Sequence, residues 1–271
     1  MSSAFSIVVL GAKGRMGQMV LQACAQRLQG QTSPAFQVTG AVESAGSPHL
    51  GKPAGVDGID LLVTDQLESL LSPGTVIIDF TVPQATLEAL KLARRRGAGM
   101  VIGTTGFSAQ EKQLIVEASA SIPIVMAPNM SAGVTLMFRV AEMIARVLGP
   151  DFDAEIVEAH HNQKKDAPSG TALGFAEALA RGREANLSDL AVYGREGMPG
   201  PRPKGEIGIH AVRGGDIVGD HTVLFAGEGE RIEIKHMAHS RRTFAQGALR
   251  AALFLQGKSS GLYDMFAVLG L

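Results

Sequence analysis

The sequence predicts an α/β protein whose first half is a parallel sheet covered by helices on both faces, followed by a second domain of another class. Three observations carry this. Short, continuous apolar runs alternate with helix-like segments up to about Asn129, as expected of strands buried on both faces. A glycine loop, Gly11-Ala12-Lys13-Gly14-Arg15-Met16-Gly17, directly follows the first apolar run. Beyond Asn129, three strand-like runs follow one another with short Gly-rich turns, which suggests an antiparallel sheet.

Taken in order, Ile7 to Leu10 is a β-branched strand, Gln37 to Val42 a second and Leu61 to Val63 a weaker third. Thr75 to Phe80, Met100 to Ile102 and Ile122 to Met126 complete the set. Helices are expected over Met16 to Leu28, Pro83 to Arg96 and Ser108 to Ser119. Pro83 suits a first turn and Ser108 suits an N-cap. Thr135 to Leu148 reads as one apolar-rich helix stopped by Gly149-Pro150, then Glu155 to Glu158 as a strand and Gly170 to Arg181 as a helix. The three late strands are Ile207 to Val212, Ile217 to Phe225 and Arg231 to Ile234, and Thr243 to Leu255 is a terminal helix. Gly182 to Lys204, with three prolines, is the expected mobile loop.

A length of 271 residues fits one large or two modest domains at ~150 residues each. Hydrophobic content of 45% with 19% charged residues excludes wholesale disorder. Lys plus Arg number 25 against 26 Asp plus Glu, which argues against a dedicated nucleic-acid binder. The single cysteine, Cys24, excludes an internal disulfide and a thiolate metal cage, and fits a reducing compartment. Met1 to Ser6 lacks a positive flank, and Ile7 to Leu10 is too short for a signal peptide core. No apolar run approaches the ~20 residues of a spanning helix, so a cytoplasmic protein with no membrane partner is expected.

The glycine loop has the spacing G-x-x-G-x-x-G, a variant of the dinucleotide fingerprint. Small residues let the backbone approach a pyrophosphate, and the helix that follows offers its free N–H groups to the anion. Glu43 closes the second strand, where an acid bonds the adenosine ribose hydroxyls and favours NAD. Lys13 and Arg15 in the loop, with neutral Ser44 beside Glu43, leave NADP open. Phe80-Thr81, Gly103-Thr104-Thr105-Gly106 and Ala127-Pro128-Asn129 follow later strands. That is the carboxyl edge, where open parallel sheets bind ligands.

Glu158-Ala159-His160-His161-Asn162-Gln163-Lys164-Lys165-Asp166-Ala167-Pro168-Ser169-Gly170-Thr171 gathers histidines, lysines and carboxylates between a strand and a helix. Ser169-Gly170-Thr171 would open that helix, whose N-terminus suits a carboxylate, while Lys164 and the histidines supply positive potential and proton donors. The segment describes a site for an anionic small substrate. Two other readings compete: a solvated charged surface, or a metal site joining His160 and His161 to His210, His221, His236 or His239. Adjacent histidines on a strand face opposite ways, which disfavours the metal.

The glycine loop together with this histidine-lysine segment resembles the 4-hydroxy-tetrahydrodipicolinate reductase family, also called dihydrodipicolinate reductases. The resemblance extends to Ile78-Asp79-Phe80-Thr81, Arg213-Gly214-Gly215-Asp216-Ile217-Val218-Gly219 and Ser259 to Met265. It implies an N-terminal Rossmann-like dinucleotide-binding domain, residues 1–131 plus 242–271. It also implies an α+β substrate and tetramerisation domain over 132–241 with an open mixed sheet. The expected activity is NADPH- or NADH-dependent reduction of a small cyclic dicarboxylate in the diaminopimelate route to lysine, by a homotetramer. His160 and Lys164 match the family's catalytic pair. His161, Lys164, Ser169, Gly170 and Thr171 match positions that hold the substrate carboxylates. Cofactor contacts fall on Gly11, Lys13, Gly14, Arg15, Met16, Gly17, Glu43, Phe80, Thr81, Gly103, Thr104, Thr105, Ala127 and Asn129, and no metal is implied. Some members place Arg where this chain has Ser44. The rival readings are another two-domain sugar or semialdehyde dehydrogenase, and a nucleotide-sensing module without turnover.

Overall fold

The computed structural model describes residues 4–32 and 35–271; Met1 to Ser3, part of the amino terminus read above, lie outside the described residues, as do Ser33 and Pro34. In chain order the elements are β1 (Phe5–Leu10), α1 (Arg15–Leu28), β2 (Phe36–Val42), β3 (Val63–Thr64), β4 (Val76–Asp79), α2 (Pro83–Arg96), β5 (Gly99–Ile102), α3 (Ala109–Ser119) and β6 (Pro123–Met126). They continue with α4 (Ala132–Leu148), β7 (Asp153–His160), α5 (Gly170–Gly182), α6 (Leu187–Leu190), β8 (Ala191–Tyr193), β9 (Ile207–Arg213), β10 (Asp220–Ala226) and β11 (Arg231–Met237). The chain ends with α7 (Arg242–Leu255), β12 (Gly261–Tyr263) and α8 (Met265–Leu269). Contacts divide it into two units, Met1–Ser131 with Arg241–Gly270, and Ala132–Ser240 with Leu271.

The first unit is a seven-stranded sheet in the order β12-β6-β5-β4-β1-β2-β3, parallel throughout. Strand side chains alternate between two cores. Ile7, Val9, Ile78, Val101 and Val125 pack with α1 and α7 on one face. Val8, Ile77, Met100, Ile102 and Ile124 pack with α2 and α3 on the other. Successive central positions such as Ile7-Val8-Val9, Val76-Ile77-Ile78 and Met100-Val101-Ile102 are therefore apolar, which explains the continuous hydrophobic runs. Each fully buried Leu or Ile side chain contributes roughly 1.5–3 kcal/mol. Ser108 caps α3 in a reciprocal box with Glu111, and Pro83 opens α2. The terminal helix α7 packs on α1 and the central strands. Gly247 lets it lie against the Met130 carbonyl, where a Cβ would stand 1.7 Å away. The weak third strand is shifted by a register step: Val63 is buried in the sheet, whereas Leu62 bridges to Pro53 and is 62% exposed.

The second unit is a five-stranded mixed sheet, β11-β10-β7-β9-β8. Its pairing corrects the expectation of consecutive antiparallel strands. β10 is antiparallel to β11 and to β7, but β9 is parallel to β7 and does not touch β10. The Gly214 to Gly219 segment is no hairpin turn. It crosses the end of β7, with the Gly214 amide on the His160 carbonyl and the His161 amide on the Ile217 carbonyl at 2.7 Å. Ile217, expected to begin a strand, is spent in that crossing, and β10 starts at Asp220.

Helices α4 and α5 cover one sheet face through Ala141, Ala145, Phe175 and Leu179 against Ile156, Ile209, Val223 and Phe225. On the strands themselves Val157 and Val212 are exposed. The segment expected to be mobile carries α6 and β8. It is also pinned by ions: Arg195 grips both Glu155 oxygens, and Arg202 reaches Glu155 and Asp153.

Candidate active site

In the first unit, the residues expected to contact a cofactor all lie beyond the carboxyl ends of β1, β2, β4, β5 and β6, in the loops that follow those strands or, for Arg15, Met16 and Gly17, in the first turn of α1. Gly11 has φ +67°, and a Cβ there would strike Thr81 Cγ2 at 2.6 Å. A Cβ on Gly17 would stand 2.1 Å from the Gly11 carbonyl oxygen, so the loop closes only over bare backbone. Helix α1 begins with Gly14 as N-cap and no side-chain cap. Its first amides are therefore left to an external acceptor, as a pyrophosphate site requires.

Glu43 accepts a 2.8 Å hydrogen bond from the Lys13 amide, which ties the end of β2 to the glycine loop. The Lys13 ammonium donates to the carbonyls of Ala54 and Pro53, while Arg15 and Ser44 are exposed. Met16 packs against the core. Phe80 lies against Gly103, where a Cβ would meet its ring at 2.1 Å. Beneath them is the buried carboxyl of Asp79. One of its oxygens accepts from the Thr81 amide at 2.8 Å, the Thr81 hydroxyl at 2.6 Å and the Thr104 hydroxyl at 3.3 Å. Burial raises this carboxyl above its ordinary range, against the pull of those hydrogen bonds. Thr104 is thus occupied in the support of the loop, while Thr105 is exposed. Ala127 is buried, and the Asn129 side chain accepts from the Ser131 amide.

In the second unit, β7 delivers His160 at its end, and α5 opens at Gly170 just beyond the connecting loop. Glu158 and His160 are two apart on one strand, so they share a face. Glu158 is fully buried. Its Oε2 lies 2.6 Å from His160 Nδ1, its Oε1 accepts from the Ser169 amide at 3.0 Å, and Arg213 donates to both oxygens at 2.8 Å. Burial alone would raise the Glu158 carboxyl, but the bonds from Arg213, His160 and Ser169 outweigh it and hold it below its usual range. His160 is pushed down, first by burial, with the charges of Lys164 and Arg213 adding to it and Glu158 opposing.

Lys164 places its ammonium 2.8 Å from Asp166. Ser169 caps α5: its hydroxyl accepts from the Ala172 amide and lies 3.1 Å from His221 Nε2. Its side chain and its amide are both spent inside the fold. Gly170 at the start of α5 is exposed, and the first-turn amides of a helix have no intrahelical acceptor. His161 is half-buried beside the loop. His221 packs edge-on to His160, ring centres 5.2 Å apart, and burial pushes it down to about 3.

Such a site offers a lysine cation, an imidazole in a fixed orientation and a helix N-terminus, which together can hold a carboxylate and move a proton. The histidines do not converge on an ion. His210 is turned to Glu155 at 2.7 Å, and no group of three or more His, Cys, Asp or Glu among the described residues is placed to hold a metal.

Three members of this cluster were not singled out from the sequence: Glu158, Arg213 and His221, the last weighed only as a metal ligand. Glu158 was detectable, since two-residue spacing from His160 on a strand gives one face. Arg213 and His221 become neighbours only through pairing, Arg213 opposite His160 on β9 and His221 opposite Glu158 on β10.

Comparison with known proteins bears on both units. The family model "Dihydrodipicolinate reductase, N-terminus" matches residues 5–130, and "Dihydrodipicolinate reductase, C-terminus" matches 133–269. Among curated relatives, a 4-hydroxy-tetrahydrodipicolinate reductase of Ralstonia nicotianae is 50% identical over 98% of this chain and 99% of its own. One of Dechloromonas aromatica is 52% identical over 99% of each. A dipicolinate-bound dihydrodipicolinate reductase from Paenisporosarcina sp. TG-14 superposes with a TM-score of 0.71 at 24% identity, covering 97% of this chain and 98% of that one. This last likeness is one of fold.

Proposed function

The chain belongs to the dihydrodipicolinate reductase family, and on that premise we propose which of its residues do the work. The activity is the reduction of 4-hydroxy-tetrahydrodipicolinate to tetrahydrodipicolinate with NADH or NADPH, in the diaminopimelate route to lysine. The observation that carries the residue assignment is the strand-to-helix loop of the second unit. It carries His160 at the end of β7 and Lys164 on the short connection to the N-terminus of α5, which supports reading the three as one substrate site.

Cofactor binding falls to the glycine loop. The Gly11 and Gly17 positions leave no room for a Cβ, and the uncapped start of α1 fits a pyrophosphate. The second Glu43 oxygen is the acceptor for a ribose hydroxyl, and exposed Arg15 is the cation for a 2′-phosphate where NADPH is used. When bound, the reduced nucleotide supplies a hydride to a substrate ring carbon conjugated with the ring nitrogen.

The remaining chemistry belongs to the chain. Lys164, His161 and the Gly170 and Thr171 amides hold the two carboxylates and fix the ring. Ser169, with its hydroxyl and amide already committed, serves that clamp as the cap of α5 rather than as a direct ligand. The enamine left by hydride addition needs a proton, and Lys164 and His160 are the groups placed to manage it.

The substrate unit is also the proposed site of tetramer assembly. Exposed Val157, Val212 and Met237, on the sheet face away from α4 and α5, are apolar surface that a second subunit would cover. Sedimentation equilibrium tests this; a monomer at micromolar concentration overturns it. The cytoplasm is the proposed compartment, in keeping with one reduced, buried Cys24. No helix among the described residues is long and apolar enough to cross a membrane.

The test of function is a coupled assay. Pyruvate and aspartate semialdehyde are condensed by the upstream synthase, and nucleotide absorbance is followed after this protein is added. Loss of absorbance that depends on the synthase is the expected result. Its absence with both nucleotides, from folded protein, overturns the assignment.

A further inference from the structure

The Glu158 carboxylate makes four hydrogen bonds, and three of them come from groups that can only donate: the Ser169 amide and the two Arg213 nitrogens. With those donors around it, a fully buried carboxylate is held ionised, and an ionised carboxylate only accepts. The fourth partner, His160 Nδ1 at 2.6 Å, must then be the donor. The neutral imidazole carries its proton on Nδ1, and Nε2 is left as a bare lone pair. Nε2 lies against the Gly219 backbone, where a Cβ would stand 3.0 Å from it, so the glycine leaves no side chain at position 219 against that nitrogen.

We infer that Glu158, clamped by Arg213, is a positioning residue: it fixes the tautomer and ring orientation of His160 and couples them to the N-terminus of α5 through the Ser169 amide. It touches neither substrate nor nucleotide and acts through the imidazole, as the third member of a base-orienting chain does. The inference rests on His160 belonging to the reacting site.

Glu158→Gln reverses the bond. At the Oε1 position the amide nitrogen would meet two fixed donors, the Ser169 amide and Arg213 Nη2, and at the Oε2 position only one, Arg213 Nη1. It therefore takes the Oε2 position at the cost of that one bond and donates to His160 Nδ1, which must then accept and move its proton to Nε2. The probe is the 15N signature of His160 in histidine-labelled protein above its titration, identified by its loss in His160→Ala. Wild type is expected to show the proton on Nδ1, and Glu158→Gln to show it on Nε2, with kcat lower by about tenfold or more and the nucleotide Kd unchanged. A wild-type proton on Nε2 overturns the inference, whether or not Glu158→Gln folds. So does a Glu158→Gln enzyme with wild-type kcat. If His160→Ala itself turns over like wild type, the site reading beneath the inference falls instead.

Discussion

Glu155 and Glu158 lie three residues apart on β7 and therefore face opposite sides of the sheet, and each gathers its own ring of arginine and histidine partners. Glu155 holds Arg195, Arg202 and His210 on one side; Glu158 holds Arg213 and His160 on the other. One strand thus ties down the proline-rich segment across its outer face and orients the His160 imidazole across its inner one. The same period-2 geometry that buries Ile156 separates a structural network from a chemical one.

Glu155 is expected to dominate the acid limb of stability. Burial alone would raise it, but Arg195, Arg202 and His210 bring it down to about 2 from 4.5. A depressed carboxylate stabilises the fold fully above its unfolded value. That contribution is lost as pH falls from about 4.5 through about 2. Glu155→Gln should lower stability at pH 7, by at most about 3 kcal/mol, and flatten the melting temperature against pH in that window. An unchanged acid limb would count against the network.

His221 acts in a different window. Burial lowers it to about 3 from 6.5, so the unfolded chain takes up a proton between these values that the folded chain refuses. Stability must then fall as pH drops below 6.5, and His221 contributes up to one proton of that slope. His221→Gln, which keeps an amide near the Ser169 hydroxyl, should reduce the slope by that share, leaving the part from His160 and His236, which burial also lowers, and the Glu155 limb intact. Urea midpoints at pH 7, 5.5 and 4.5 would show it, and equal losses in both proteins would refute it.

How far these features could be read from sequence depends on whether they are local. The parallel sheet was legible because successive residues such as Ile7 and Val8 face two different cores, which makes the central strand positions continuously apolar. The Ser108 cap and the Pro83 start are likewise settled within one turn of helix. The mixed sheet was not legible from its residues. A glycine-rich crossing at Gly214 to Gly219 has the composition of a hairpin turn, and only the hydrogen bonds to His160 and His161 reveal that it inserts β7 between β9 and β10. Arg213 reaches Glu158 across 55 residues, and no spacing rule anticipates that meeting. The ions that pin the 182–204 segment are equally non-local, which is why its glycines and prolines read as mobility.

Gly17 tests the nucleotide half on its own. Its missing Cβ is what lets α1 approach the Gly11 carbonyl, at a distance that would be 2.1 Å from an alanine. Gly17→Ala should open the loop, disturb the amides at the start of α1 and weaken NADH and NADPH binding by about tenfold or more, in line with the 1–3 kcal/mol scale of overpacking. Circular dichroism should show the same helix content. Titration of the nucleotide fluorescence gives the affinity, and wild-type binding would detach the glycine loop from the cofactor.

The two duties proposed for Lys164, charge at the carboxylate clamp and a proton for the enamine, can be separated. Lys164→Ala removes both and should cut kcat by roughly a hundredfold or more, the upper part of the acid-base range being reached where no water substitutes; the KM for the dicarboxylate should also rise. Lys164→Arg keeps the cation, which can still pair with Asp166 as the ammonium does at 2.8 Å, but a guanidinium does not release its proton. If Lys164 is the acid, the arginine variant recovers KM and leaves kcat as low as in the alanine variant. If its duty is the clamp alone, arginine restores both, and the proton must come by way of His160.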